Sequence, residues 1–77
     1  MSNTSQFSPN LYHIDGIDDA LTIRVCAALK AKWRDQGDET INLPNMIKYF
    51  KTDEVTLTKI ISWYEGQLLC TKFKIIS

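Results

Sequence analysis

Apolar residues recur along the middle of the chain at helical spacing. Leu21, Val25, Ala28, Leu29 and Trp33 fall on one helical face, while Thr22, Lys30, Lys32 and Arg34 lie largely outside that stripe. Asp15-Gly16-Ile17-Asp18 reads as a helix start: Asp15 offers a cap for orphan amides, and Asp18 and Asp19 place negative charge where the helix dipole favours it. Basic residues gather in the last turns, and Gly37 suits a left-handed stop. The pattern predicts a first helix over residues 16 to 35.

A polar connection, Gln36 to Glu39, leads into Thr40-Ile41-Asn42-Leu43, which is short enough to be one strand segment or extended chain. Asn42 can cap a second helix, Pro44 is tolerated in its first turn because no helical partner awaits its missing N–H, and Met46, Ile47 and Phe50 form an apolar side. This predicts a short helix over 43 to 50. Thr52-Asp53-Glu54 then supplies cap residues and an acid, so a third helix starts after a tight turn. Leu57, Ile60, Ile61, Tyr64 and Leu68 are its inward positions, and Glu54, Thr58, Lys59, Ser62 and Glu65 its outward ones. Gly66 marks an end near residue 66, although the stripe runs on to Leu68.

After that the period changes to two. Thr71, Phe73 and Ile75 alternate with Lys72 and Lys74, which predicts a half-buried strand over 71 to 75. A lone strand cannot satisfy its backbone, so it needs a partner. The candidates are Glu39 to Leu43, which is favoured, and Leu11 to Ile14.

Composition narrows the class. Seventy-seven residues make one domain with a small core, here placed at 10–77 behind a polar, Ser/Asn-rich leader at 1–9 that reads as flexible. Nine basic and nine acidic side chains cancel, which excludes holding nucleic acid by bulk positive charge. Divided by position, residues 1–39 hold four basic against six acidic side chains, and residues 40–77 hold five against three. The second half is therefore the positive one. Cys26 and Cys70 read as buried reduced thiols, with a single bridge between them as the alternative, and no Cys/His clustering suggests a metal site or other cofactor. The lack of a signal-peptide pattern or a long apolar run points to the cytoplasm and away from a membrane. No catalytic motif is visible, and capping explains the acidic pairs at 18/19 and 53/54, so the expectation is a protein that is not an enzyme.

Read as one unit, Asn42 at the cap, Met46 and Phe50 inward on the short helix, and Leu57, Ile61 and Tyr64 inward on the next resemble a helix-turn-helix of the winged-helix kind. The resemblance covers roughly residues 17 to 76. The chain departs from that pattern at Lys51, where the turn usually has a small residue, often Gly, and in having only about ten residues after the third helix, too few for a full two-stranded wing. The implied fold is mainly α: a three-helix helix-turn-helix domain with a short C-terminal β-strand, a truncated winged helix.

The resemblance implies double-stranded DNA as partner and the third helix as its reader. Glu54, Val55, Thr56, Thr58, Lys59 and Ser62 would face the major groove, with Lys48, Lys51, Lys72 and Lys74 forming a positive strip to which Lys30, Lys32 and Arg34 can add. The alternative is an interaction module, an inhibitor or adaptor, on the same scaffold. Tyr49 and Trp63, if both outward, would then form its apolar partner patch, or a stacking platform together with Trp33. A homodimer made by exchange of the terminal strand is a further expectation.

Overall fold

The computed structural model describes residues 12–68 and 72–76. Helix α1 spans Asp19–Lys30 and passes into a π turn over Ala31–Asp35; strand β1 is Thr40–Asn42, helix α2 Leu43–Phe50, helix α3 Glu54–Leu68 and strand β2 Lys74–Ile76. The described chain is thus mainly helical with a two-stranded sheet. The predicted leader, Cys70 and Thr71 lie outside the described residues.

α1 begins three residues later than its first acidic signal suggests. Gly16 takes φ +85° in a turn closed by Ile17 N–H donating to the Ile14 carbonyl at 3.0 Å, so Asp15 sits in that turn and cannot cap. Asp18 is the cap instead, accepting from the Leu21 amide at 3.1 Å. The buried face is Thr22, Val25, Cys26 and Leu29, with Leu21 and Ala28 only half-buried. Thr22, expected outside the stripe, is fully buried because its hydroxyl donates back to the Asp18 carbonyl at 3.1 Å and needs no water.

The helix ends in a wider turn. Gln36 N–H reaches the Ala31 carbonyl at 3.2 Å, and Asp38 N–H reaches the Lys32 carbonyl at 2.9 Å around Gly37, whose φ of +66° makes it the expected left-handed stop. The wide turn changes the phase of the stripe. Trp33 therefore packs against the core half-buried and is not one of its enclosed members.

α2 occupies its predicted span. Asn42 accepts from the Asn45 amide at 3.1 Å, Pro44 stands in the first turn, and Leu43 and Phe50 are buried while Met46 and Ile47 are half-buried. The helix is closed by Lys51 in the left-handed conformation, φ 54° and ψ 50°, with its amide on the Ile47 carbonyl. α3 starts at Glu54, and Leu57, Ile60, Ile61 and Tyr64 are its buried residues. It runs through Gly66 to Leu68: the apolar stripe overrides the glycine, which sits exposed in the last turn.

β2 runs parallel to β1, pairing Thr40 with Lys74, Ile41 with Ile75 and Asn42 with Ile76. The favoured partner segment is the one used, whereas Ile14 pairs only with Ile17 in an isolated bridge. The strand is shorter than the predicted 71 to 75: Lys72 and Phe73 precede it, it ends one residue later at Ile76, and its own three residues are all exposed. Ile75, two residues on from Phe73 and paired with the fully buried Ile41, is 43% exposed at the outer edge of the sheet. Phe73, just before the strand, is buried and stacks on Tyr64 with ring centroids 6.5 Å apart.

These elements meet in one core of Val25, Cys26 and Leu29 from α1, Ile41 from β1, Leu43 and Phe50 from α2, Leu57, Ile60, Ile61 and Tyr64 from α3, and Phe73. Each fully enclosed Leu or Ile contributes about 1.5–3 kcal/mol. α1 and β1 are thereby held against the helix pair and fix its outward faces.

Candidate functional site

The turn from α2 to α3 has three residues, Lys51, Thr52 and Asp53, and both of its ends are tied. Thr52 N–H donates to the Ile47 carbonyl at 3.2 Å, and the Asp53 carboxylate accepts from the Thr56 amide at 2.8 Å. The Thr56 side chain and amide, with a smaller contribution from the charge of Lys59, hold the Asp53 carboxyl below its usual range. Thr56 is half-buried and committed to this cap.

Beyond the cap, α3 presents Glu54, Val55, Thr58, Lys59 and Ser62 to solvent. Val55, Lys59 and Ser62 share one helical face by spacing, and Val55 is 63% exposed. Lys48 and Lys51, three residues apart, are exposed at the end of α2 and in the turn; Lys72 is exposed just before β2 and Lys74 at its start. Among the described residues none of these five lysines makes an ion pair. Lys30 and Arg34 are exposed as well.

Lys32 does not join them. Its ammonium lies 2.9 Å from Asp38, whose other oxygen accepts from the Thr40 amide at 2.9 Å, so the pair fastens the π turn to the start of β1. Those amide and ammonium contacts hold the Asp38 carboxyl below its usual range. The sequence reading missed Arg24, whose guanidinium lies 5.5 Å from the centroid of the Phe50 ring and links α1 to α2 across the core rim. No local pattern signals that contact, because it joins residues from separate elements.

The aromatics do not form one platform. Tyr49, 74% exposed, stands edge-on to Phe50 at 4.9 Å and lines a cleft of about 350 Å³ with Ala28, Lys32, Asn45, Met46 and Phe50. Trp63 is half-buried and lines a separate recess of about 160 Å³ with Tyr12, Tyr64 and Gln67, its ring 6.1 Å from that of Tyr12. The single Tyr49–Trp63 patch expected from the sequence is therefore split between two clefts.

Cys26 is a free, buried thiol, and burial pushes its pKa up to about 11. Among the described residues no group of three or more His, Cys, Asp or Glu is placed to hold a metal ion, and no helix is long and apolar enough to cross a membrane. No family model matches the chain, and no curated protein or solved structure matches it.

Proposed function

We propose that the chain is a small DNA-binding regulator without enzymatic activity, in which α2 and α3 work as a helix-turn-helix and α3 enters the major groove. The observation that carries this reading is the turn. Two capped helices are joined by three residues around a left-handed Lys51, and their buried faces share a core backed by α1. Glu54 and Val55 at the start of α3 are exposed, as are Thr58, Lys59 and Ser62 further along. Lys59 is suited to a guanine edge or a phosphate, Thr58 and Ser62 to either, and Lys48, Lys51, Lys72 and Lys74 to phosphates. Thr56 is a weaker contact because Asp53 already holds it, and the same cap turns the Asp53 charge toward backbone amides.

The test is binding to a fluorescent duplex of mixed sequence across a salt series. Affinity should fall with salt at a slope of about −0.9 per phosphate contacted. Lys59→Glu should weaken binding about tenfold or more, while Ala20→Glu, at an exposed position in the first turn of α1, should change it little. Equal losses in the two variants would remove α3 from the groove.

One observation favours a second reading, docking on a protein. Tyr49 is 74% exposed beside an apolar cleft of about 350 Å³, the kind of anchor and recess that protein contacts use. A duplex that shows no binding even at low salt, with Tyr49→Ala breaking a protein complex, would select it.

A further inference from the structure

We infer that the outer edge of β2 pairs with the same edge of a second copy, antiparallel and centred on Ile75, giving a four-stranded sheet in the order β1-β2-β2-β1. The pairing stands on the geometry of the sheet alone.

The backbone of β2 sets the centre. Lys74 N–H donates to the Glu39 carbonyl at 2.8 Å, so residue 74 is turned toward β1. Successive residues of a strand turn their N–H and C=O groups to opposite edges, which points those of Ile75 away from β1. One step earlier on that outer side, the Phe73 amide is already taken by the Glu65 carboxylate at 2.7 Å. The outer edge therefore opens at Ile75, whose outward groups meet no partner among the described residues. A two-fold axis at this position makes Ile75 face Ile75 of the second copy and exchange both N–H···O=C bonds with it, the closely hydrogen-bonded type of antiparallel pair.

Side chains agree with that register. Ile75 and Ile76 are 43% and 51% exposed, unusually open for isoleucines on a sheet. Centring on residue 75 sets Ile75 against Ile75 and each Lys74 against Ile76 of the other copy. The apolar residues are then covered by each other and by lysine stems, and no two lysines stand directly opposed. The chain has a formal net charge of zero, so two copies do not repel as wholes. The strand that exchange between copies was expected to satisfy is satisfied on its inner side by β1 of its own chain; only the outer side is left for a partner. The contact is short, so the dimer is a weak one.

The experiment uses the full chain without DNA, so its outcome is separate from that of the groove reading. Sedimentation equilibrium from about 10 µM to 1 mM should show monomer and dimer in exchange. Ile75→Lys and Ile75→Glu each set like charges face to face at the axis and should each weaken association about tenfold or more, with far-UV circular dichroism unchanged because the side chain is exposed. Mixing the two variants should restore a dimer, since only this register places Lys against Glu. A wild-type chain that stays monomeric throughout, single variants that associate as the wild type does, or a mixture that fails to recover would each overturn the proposal.

Discussion

Glu65 on α3 accepts a 2.7 Å hydrogen bond from the backbone amide of Phe73, and the Phe73 ring stacks on Tyr64 of the same helix. α3 thus holds the residue that leads into β2 at both its amide and its ring, and through it the parallel pairing with β1. Glu65→Ala leaves that amide without its acceptor and should cost about 1–2 kcal/mol, a charge-assisted bond discounted for a half-buried site. Urea unfolding measures the loss, and Glu65→Gln, which keeps an acceptor, should recover part of it. An unchanged midpoint in Glu65→Ala would mean that β1 alone holds the strand.

Lys51 closes α2 with φ 54° and ψ 50°, a conformation that costs a residue with a Cβ about 1–2 kcal/mol and glycine nothing. Glycine also loses more freedom on folding, which offsets part of the gain. Lys51→Gly should therefore stabilise the domain by about 0.5–1 kcal/mol in urea unfolding. The same variant removes one exposed charge beside α3, so under the DNA reading its salt slope should fall by about one phosphate's worth, roughly 0.9. A variant that is stabilised with an unchanged slope would place Lys51 away from the duplex.

That residue also shows what a sequence conveys. The departure from glycine at position 51 was visible, yet the turn forms because Asn42 and Asp53 cap the flanking helices and Phe50 and Leu57 bury on either side, signals that local spacing carries well. The β1–β2 pairing was legible for a similar reason: an alternating tail needs a partner, and few extended segments are available. The π turn was not legible. Periodicity at 3.6 residues per turn has no mark for one wider turn, so Trp33 was assigned to a stripe that the wider turn shifts. Burial of Thr22 depends on a bond to a carbonyl four residues back, and exposure of Ile75 on its place at the edge of a two-stranded sheet; neither is encoded in the alternation of polar and apolar positions.

His13 bridges the turn before α1. Its Nδ1 lies 2.9 Å from Asp19 and its Nε2 3.1 Å from Asp15, and these bonds, chiefly the one to Asp19, raise its pKa above the ordinary 6.5. Asp19→Asn should lower the value toward 6.5 by more than Asp15→Asn does, read from the imidazole shifts in an NMR titration. A folded-state pKa above the unfolded one means the stabilising contribution is complete below pH 6.5 and is lost as pH rises through the folded value. Asp53 has the opposite sign. Its carboxyl is depressed by Thr56, so its contribution is present above its ordinary 3.8 and lost as pH falls through the folded value. Asp53→Asn keeps a cap acceptor and should flatten that acid limb; a limb of unchanged steepness would assign acid sensitivity to other carboxylates such as Asp38.

Thr22 separates the contribution of a buried hydroxyl from that of the space it fills. The side chain is fully enclosed, and its Oγ1 donates to the Asp18 carbonyl, which also accepts from the Thr22 amide at 3.1 Å. Thr22→Val keeps the branched shape and removes the donor, while the carbonyl retains its helical partner, so no buried group is left unsatisfied. The change should fall within about 0.5–1 kcal/mol of neutral and has room to be stabilising, because an apolar group replaces a polar one in the same volume. Thr22→Ala removes the shape as well and should cost about 1–2 kcal/mol more than the valine variant, the usual consequence of an unfilled space beside Val25 and Cys26. Urea midpoints of the two variants decide between the effects. Equal losses would assign the stabilisation to the hydroxyl, and a loss confined to alanine would assign it to packing.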